Sequence, residues 1–253
     1  MSVNLEISRE ERVLRVTLSR PEKRNALSLE MCRELAGALE SAEGDDAIGA
    51  VLLEAKGNVF CAGMDLDEAL EGKADEHAAV HERIFTIGAR LRVPVLAAVA
   101  GPALGGGLGL VANAHVVVAA QGSSFGLTEI RLGMWPFVVY RAVAAAVGER
   151  RALELSLTGR IFGTQEALAW GLAHYVAPAF ELDDRACEIA SAVSNFSRDT
   201  IRRGMRFVSQ SRGANTEEQA LLAAIARKPV FEGADFREGV EAFREKRAPR
   251  WNS

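Results

Sequence analysis

Two short glycine-containing turns are the residues in this 253-residue chain best suited to chemistry: Phe60-Cys61-Ala62-Gly63-Met64-Asp65-Leu66 and Ala103-Leu104-Gly105-Gly106-Gly107-Leu108. Each joins a strand end to a helix start through small residues, which let a ligand come close to the main chain. A helix start also leaves backbone N–H groups unpaired, with the positive end of the macrodipole behind them. Two such turns can aim donors at one carbonyl oxygen and hold the negative charge that develops there in acyl chemistry. Losing one such donor typically costs roughly 3–4 kcal/mol. Either turn alone reads more readily as a structural bend. Neither is a nucleotide loop: the G-x-G-x-x-G spacing with its downstream acid is missing, and no Gly-Lys-Ser/Thr follows.

The remaining candidates read as structural. His77 and His81 are four apart and could share a helix face as metal ligands, but His77-Ala78-Ala79-Val80-His81 lacks the glutamate of H-E-x-x-H. A solvated or packing role is expected. His115 reads as a structural hydrogen-bonding residue, and Cys61, with no base beside it in sequence, as core. Asp67, Glu68 and Glu71 read as the solvated face of an acidic helix.

The elements that must position the turns follow from hydrophobic period. Val3–Ile7 and Val13–Leu18 alternate around a charged turn at Arg9–Arg12 and predict a hairpin. Ser28 is placed to cap a helix through Leu29, Leu35 and Leu39. Strands are expected at Ile48–Glu54, Val95–Val99, Val116–Ala119 and His174–Val176, with Ser124–Phe125 leading into a loop. Gly101–Gly107 reads as one turn ahead of a short helix, Leu108–Asn113. Helices follow around Ala142–Val147 and Arg151–Ser156, with Thr164 capping Gln165–Trp170. Beyond Pro178 the chain reads as helical, with Phe236, Val240 and Phe243 on one face. Strand-plus-helix units with a helical tail predict the α/β class.

Composition sets the setting. A net charge of −4 and 49% hydrophobic residues are ordinary for a globular chain. Cys32, Cys61 and Cys187 are an odd, widely spaced set, expected to be free thiols in a reducing compartment. No Cys or His spacing suggests a zinc site. The charge-free run from Val93 to Leu127 is long enough for a membrane span, but its prolines and glycines break it into short buried pieces. The polar start, Met1 to Arg12, is unlike a targeting peptide. A cytoplasmic protein with no membrane association is expected.

Five blocks together resemble the enoyl-CoA hydratase/isomerase (crotonase) superfamily over nearly the whole chain. They are Pro21-Glu22-Lys23-Arg24-Asn25-Ala26-Leu27, the two glycine turns, Phe125-Gly126-Leu127-Thr128-Glu129 with Leu132-Gly133, and Ala242-Phe243-Arg244-Glu245-Lys246-Arg247-Ala248-Pro249. The resemblance implies a crotonase-like spiral of ββα units over 1–195. It also implies a C-terminal helical region over 196–253 that packs on the core and builds a homotrimer, often paired into hexamers. It implies an acyl-CoA thioester as substrate, with no cofactor or metal beyond that coenzyme A. The oxyanion donors would be the N–H groups of Met64 and Gly106, and the acid/base would be Glu129. Lys23, Arg24, Asn25, Ala26 and Leu27, with Ala62, Gly63, Met64, Asp65 and Leu66, would hold the CoA moiety. Gly105, Gly106, Thr128, Trp135 and Lys246 complete the expected site, and Asp65 is expected to brace its turn or meet the ligand's amide.

The chain departs from the hydratase pattern at Gly109. Family hydratases share the work between two glutamates, one at the position of Glu129 and one three residues after the second oxyanion glycine. Here that second position is Gly109, which can neither take nor give a proton. Water addition calls for two proton-handling groups, whereas one carboxylate suffices to move a proton along a dienolate. Δ3-Δ2 enoyl-CoA isomerisation is therefore expected first. Hydration by Glu129 alone or with a substitute acid, decarboxylation, and non-catalytic acyl-CoA or RNA binding are the alternatives. Trp135-Pro136-Phe137 replaces the small, glycine-rich stretch usual in hydratases, so it should narrow the acyl pocket or pack in the core. Arg198, Arg202, Arg203 and Arg206 form a basic stretch, but nucleic-acid binding is not expected of a chain that is acidic overall.

Overall fold

The alternation near the N-terminus folds as an antiparallel hairpin of β1 (Leu5–Glu10) and β2 (Val13–Leu18), with Leu5 opposite Leu18. The turn is tighter than Arg9–Arg12, because pairing continues to Glu10 opposite Val13 and Glu11 takes the left-handed conformation. The computed structural model describes residues 4–71 and 74–251, so the expected start at Val3 lies outside the described residues.

After β2 come α1 (Leu29–Gly44), β3 (Ala50–Ala55), α2 (Leu66–Ala69), α3 (Ala74–Phe85), α4 (Ile87–Arg90) and β4 (Val95–Val99). Then follow β5 (Pro102–Leu104), α5 (Gly106–Asn113), β6 (Val116–Ala120), β7 (Ser124–Gly126), α6 (Phe137–Val147) and α7 (Glu149–Thr158). The chain continues through β8 (Ile161–Gly163), α8 (Thr164–Ala169), β9 (Tyr175–Ala177), α9 (Leu182–Ser194), α10 (Arg198–Ser211), α11 (Thr216–Phe231) and α12 (Ala234–Glu245). One sheet has the order β1-β2-β3-β4-β6-β9, parallel from β2 onward; a smaller one has the order β5-β7-β8. This is a mixed α/β architecture with a helical C-terminal region.

The parallel strands are apolar at successive positions because both faces of the sheet are covered. Val51 and Leu53 of β3, and Val95 and Ala97 of β4, point into a core shared with Leu35 and Leu39 of α1. Their neighbours Ala50, Leu52, Leu96 and Ala98 face Leu182, Ala186 and Ala190 of α9 on the other side. Ser28 caps α1 as expected, its Oγ accepting from the Met31 N–H at 3.2 Å.

Three sequence expectations shift. Gly101–Gly107 is not a single turn: Pro102–Leu104 forms β5, parallel to β7. Helix α6 begins five residues before Ala142, and α7 two residues before Arg151. Thr164 is the first residue of α8, after Gly163, and its hydroxyl makes no capping bond. Among the described residues no helix is long and apolar enough to cross a membrane.

Part of the basic stretch of α10 is engaged within the chain, while Arg206 is exposed. Arg198 is 6% exposed, and it donates to the carbonyls of Glu43 and Asp45 and pairs with Asp46 at the end of α1. Arg202 donates to the Glu43 carbonyl as well, and Arg203 pairs with Asp199 one turn away. Cations at a helix C-terminus answer its unpaired carbonyls and its dipole, so this stretch ties the C-terminal helices to α1. Arg198→Met is expected to lower stability by about 2–3 kcal/mol through lost charge-assisted hydrogen bonds, measured by urea unfolding. On α12, Phe236 stacks on Phe231 with ring centroids 4.6 Å apart. Phe236, Val240 and Phe243 share a shallow apolar groove with Phe196 and Trp251.

Candidate active site

The two glycine turns meet. Cys61 pairs with Ala103 in a parallel bridge, Leu104 N–H donating to the Cys61 carbonyl at 2.9 Å. Leu27 pairs with Met64, giving its N–H to the Gly63 carbonyl at 2.7 Å and accepting from Asp65 N–H at 3.0 Å. This pattern uses the groups on either side of Met64 and leaves the Met64 N–H over. Gly106 is the first residue of α5, so its N–H has no intrahelical acceptor. Neither N–H has a partner among the described residues. A Cβ built on Gly63 would lie 3.4 Å from the Gly106 nitrogen, which measures how closely the turns approach.

Gly105 holds φ +53 and lies beside Glu129: a Cβ there would sit 3.3 Å from Glu129 Oε1. Glu129 opens a 3-10 turn, Glu129–Leu132, after β7. Its Oε2 is buried without a hydrogen-bond partner among the described residues, and burial pushes its pKa above the usual carboxylate range. The surrounding cavity, about 210 Å³, is lined by Leu27, Met64, Leu66, Trp135, Val138 and Val139 among others, and is mainly apolar. Two donors and one carboxylate, among the described residues, therefore face a largely apolar space. That arrangement can hold an oxyanion and exchange one proton with the carbon beside it.

The place of the missing second carboxylate is filled. A Cβ on Gly109 would lie 2.8 and 2.9 Å from Cε1 and Cδ1 of Phe85 and 3.0 Å from Cγ1 of Val139. The aromatic ring of α3 occupies the space into which a side chain at 109 would project.

Most of the expected residues converge. Leu27, Ala62, Gly63, Met64, Leu66, Gly105, Gly106, Thr128, Glu129 and Trp135 all line the cavity, as do Pro136 and Phe137. Asn25 does not present its side chain to a ligand. It is fully buried, with Nδ2 donating to the carbonyls of Lys56 and Val59 and Oδ1 accepting from Arg20 N–H. It shapes the loop in which Arg24 and Asn25 both take left-handed φ. Asp65 is buried and paired with Arg20 at 3.1 Å, so it braces the turn. Lys23 is paired with Asp67 at 2.9 Å, and the Arg24 carbonyl accepts from Ala62 N–H. The Ala26 carbonyl accepts from Arg20 Nη1. Lys246 caps the end of α12 with φ +55 and does not line this cavity.

Cys61 is core, as expected, its thiol pushed up to about 12 by burial. His115 makes its structural bonds, Nδ1 accepting from Val95 N–H and Nε2 lying 2.9 Å from the Gly88 carbonyl. The solvated option for His77 and His81 is overturned: both are buried, and His81 lines the cavity. Phe85 was also missed. The available signal was spacing, because His77, His81 and Phe85 fall at i, i+4 and i+8 on α3, with successive ring centroids 5.6 and 5.8 Å apart.

The family model described as Enoyl-CoA hydratase/isomerase matches residues 8–253. A mevalonyl-coenzyme A hydratase of Aspergillus fumigatus is 33% identical over 251 residues, covering 94% of this chain and 91% of that one. The crystal structure of human enoyl-coenzyme A hydratase domain-containing protein 3 superposes with a TM-score of 0.93 at 30% identity, over 98% of this chain and all of that one. An enoyl-CoA hydratase structure from Bacillus anthracis gives 0.91 at 30% identity, over 98% of each chain. With these matches over nearly its full length, and with its crotonase fold, the chain belongs to the enoyl-CoA hydratase/isomerase family of acyl-CoA enzymes.

Proposed function

We propose that the protein isomerises a 3-enoyl-CoA to the 2-enoyl-CoA, with Glu129 as the single acid/base and the N–H groups of Met64 and Gly106 as oxyanion donors. The observation that carries this reading is the filled space over Gly109, which leaves Glu129 as the one carboxylate lining the cavity among the described residues. The thioester carbonyl accepts from the two N–H groups, which acidifies the carbon next to it. The Glu129 carboxylate removes a proton from that second carbon, and the electron pair moves into the carbonyl to give a dienolate. The protonated carboxyl then returns the proton to the fourth carbon as the double bond settles between the second and third. No cofactor or metal beyond the coenzyme A ester is needed. Arginines of α10 engaged within the chain support this reading over an RNA-binding one.

Hydration is the second reading, favoured by the names of the relatives. One assay separates them: incubation with 3-hexenoyl-CoA, crotonyl-CoA and methylmalonyl-CoA, with products followed by mass spectrometry. A shifted double bond is the expected result. Gain of water without isomerisation would overturn it in favour of hydration, and loss of carbon dioxide in favour of decarboxylation.

The filled space yields a direct prediction. Gly109→Glu alone is expected to overpack against Phe85, lowering stability by about 1–3 kcal/mol. Adding Phe85→Ala makes room for the carboxylate, so the double variant should regain melting temperature and begin to add water to crotonyl-CoA. Thermal unfolding and 3-hydroxybutyryl-CoA formation check the two halves.

The wider setting follows the same reading. Free Cys32, Cys61 and Cys187 support a reducing compartment, the cytoplasm by preference. Exposed Leu221, Ile225 and Phe243 on the C-terminal helices support assembly into trimers or hexamers. Lys246 is proposed to meet CoA phosphates across such a subunit contact.

A further inference from the structure

His81 has no task in the proton transfer, yet it lines the same cavity as Glu129. It is 8% exposed, and its Nε2 is buried with no hydrogen-bond partner among the described residues. Leaving a buried polar nitrogen unanswered costs about 1–3 kcal/mol. A leucine or phenylalanine here would avoid that cost, as the apolar side chains of the lining do. The groups around the imidazole do not answer it: His77 and Phe85 pack against it at tilted ring angles along the same face of α3, and His77 has no partner for either ring nitrogen among the described residues.

Position gives the orphan atom a use. Phe85 marks the reacting end of the cavity, since a Cβ on Gly106 would lie 3.1 Å from its Cζ. His81 is one helical turn back along α3, so an acyl chain held at the oxyanion turns reaches it beyond the reacting carbons. We propose that His81 is a specificity-determining residue, hydrogen-bonding through Nε2 to a neutral oxygen, a hydroxyl or ketone, borne by the acyl chain past its third carbon. The partner is neutral because the cavity is small, apolar and shared with Glu129; a second carboxylate there would be desolvated beside a like charge. The imidazole is neutral for the same reason: burial and the nearby His77 hold its pKa down to about 4. Which nitrogen carries the proton is set by the ligand, so donor and acceptor oxygens are both served.

This inference rests on the acyl-CoA reading of the cavity but not on which reaction follows, so the test measures binding. Unreactive CoA thioethers of matched length carry a plain alkyl tail or one hydroxyl placed on successive carbons from the fourth outward. Calorimetric titration should show one hydroxyl position binding the wild type about tenfold tighter than the plain tail, the worth of one well-made buried hydrogen bond. His81→Phe should abolish that preference, and His81→Gln should regain part of it. The readout is a ratio of two affinities in the same variant, so partial loss of folded protein cancels. A preference that survives His81→Phe, or no hydroxyl position that tightens wild-type binding, overturns the inference. Failure of every thioether to bind the wild type overturns the assignment of the cavity to acyl-CoA instead, and the role of His81 with it.

Discussion

Glu129→Gln is expected to cut turnover of an enoyl-CoA by about 10²–10⁴-fold, the usual contribution of a positioned acid/base, without loss of fold. Glutamine keeps the shape of the side chain and removes only its ability to take up a proton. The pH dependence follows from burial, which raises the folded-state pKa. The catalytic base must be ionised, so wild-type activity should rise with pH through a value above the ordinary glutamate range. Stability moves the other way. The folded protein keeps this proton to higher pH than the unfolded chain does, so stability falls as pH rises from the ordinary glutamate pKa through the raised one. Above both values the penalty of burying the charge is fully present, and the neutral amide escapes it. The variant should therefore melt no lower than the wild type at pH 8, and the difference between them should narrow as pH falls towards 4. Full turnover in the variant on every CoA thioester tried would remove Glu129 from the mechanism.

What the sequence made legible was whatever depends on local chemistry. Glycine at 63, 105 and 106 announces a close backbone approach, and Ser28 announces a helix start, because those constraints act within a few residues. The catalytic arrangement around Gly109 was legible only as an omission. Its consequence comes from Phe85, which reaches Gly109 through the packing of α3 on α5 and α6. Strand β5 was hidden for a similar reason. Pro102-Ala103-Leu104 is too short to show a period, and it becomes a strand because β7 lies beside it. Asn25 came into the expected site with its sequence block. What the block could not show is that its amide satisfies Arg20 N–H in its own loop and the carbonyls of Lys56 and Val59 in the turn after β3, so burial is the stable state of its side chain. For His81 the packing alternative holds and the solvated one does not, because spacing tells which residues share a helix face, not whether that face meets water or a cavity.

Gly63→Ala is the sharper test of the oxyanion hole, because it disturbs the donors and leaves the carboxylate alone. Gly63 holds φ +98, a conformation that costs an L-residue about 1–3 kcal/mol. The added methyl would also sit 3.0 Å from the Leu104 carbonyl and 3.4 Å from the Gly106 nitrogen. The first contact is with backbone, so relief requires the two turns to part. Parting them moves the Met64 and Gly106 N–H groups away from a common point. Loss of one donor costs roughly 3–4 kcal/mol of transition-state stabilisation, so kcat/KM should fall by about 10²–10³-fold, chiefly through kcat. The residual activity should keep the wild-type acid limb, since Glu129 still sets it, whereas Glu129→Gln should erase that limb. A variant that melted lower yet kept its kcat would show that the two turns are structural bends, and that the carbonyl oxygen is held elsewhere.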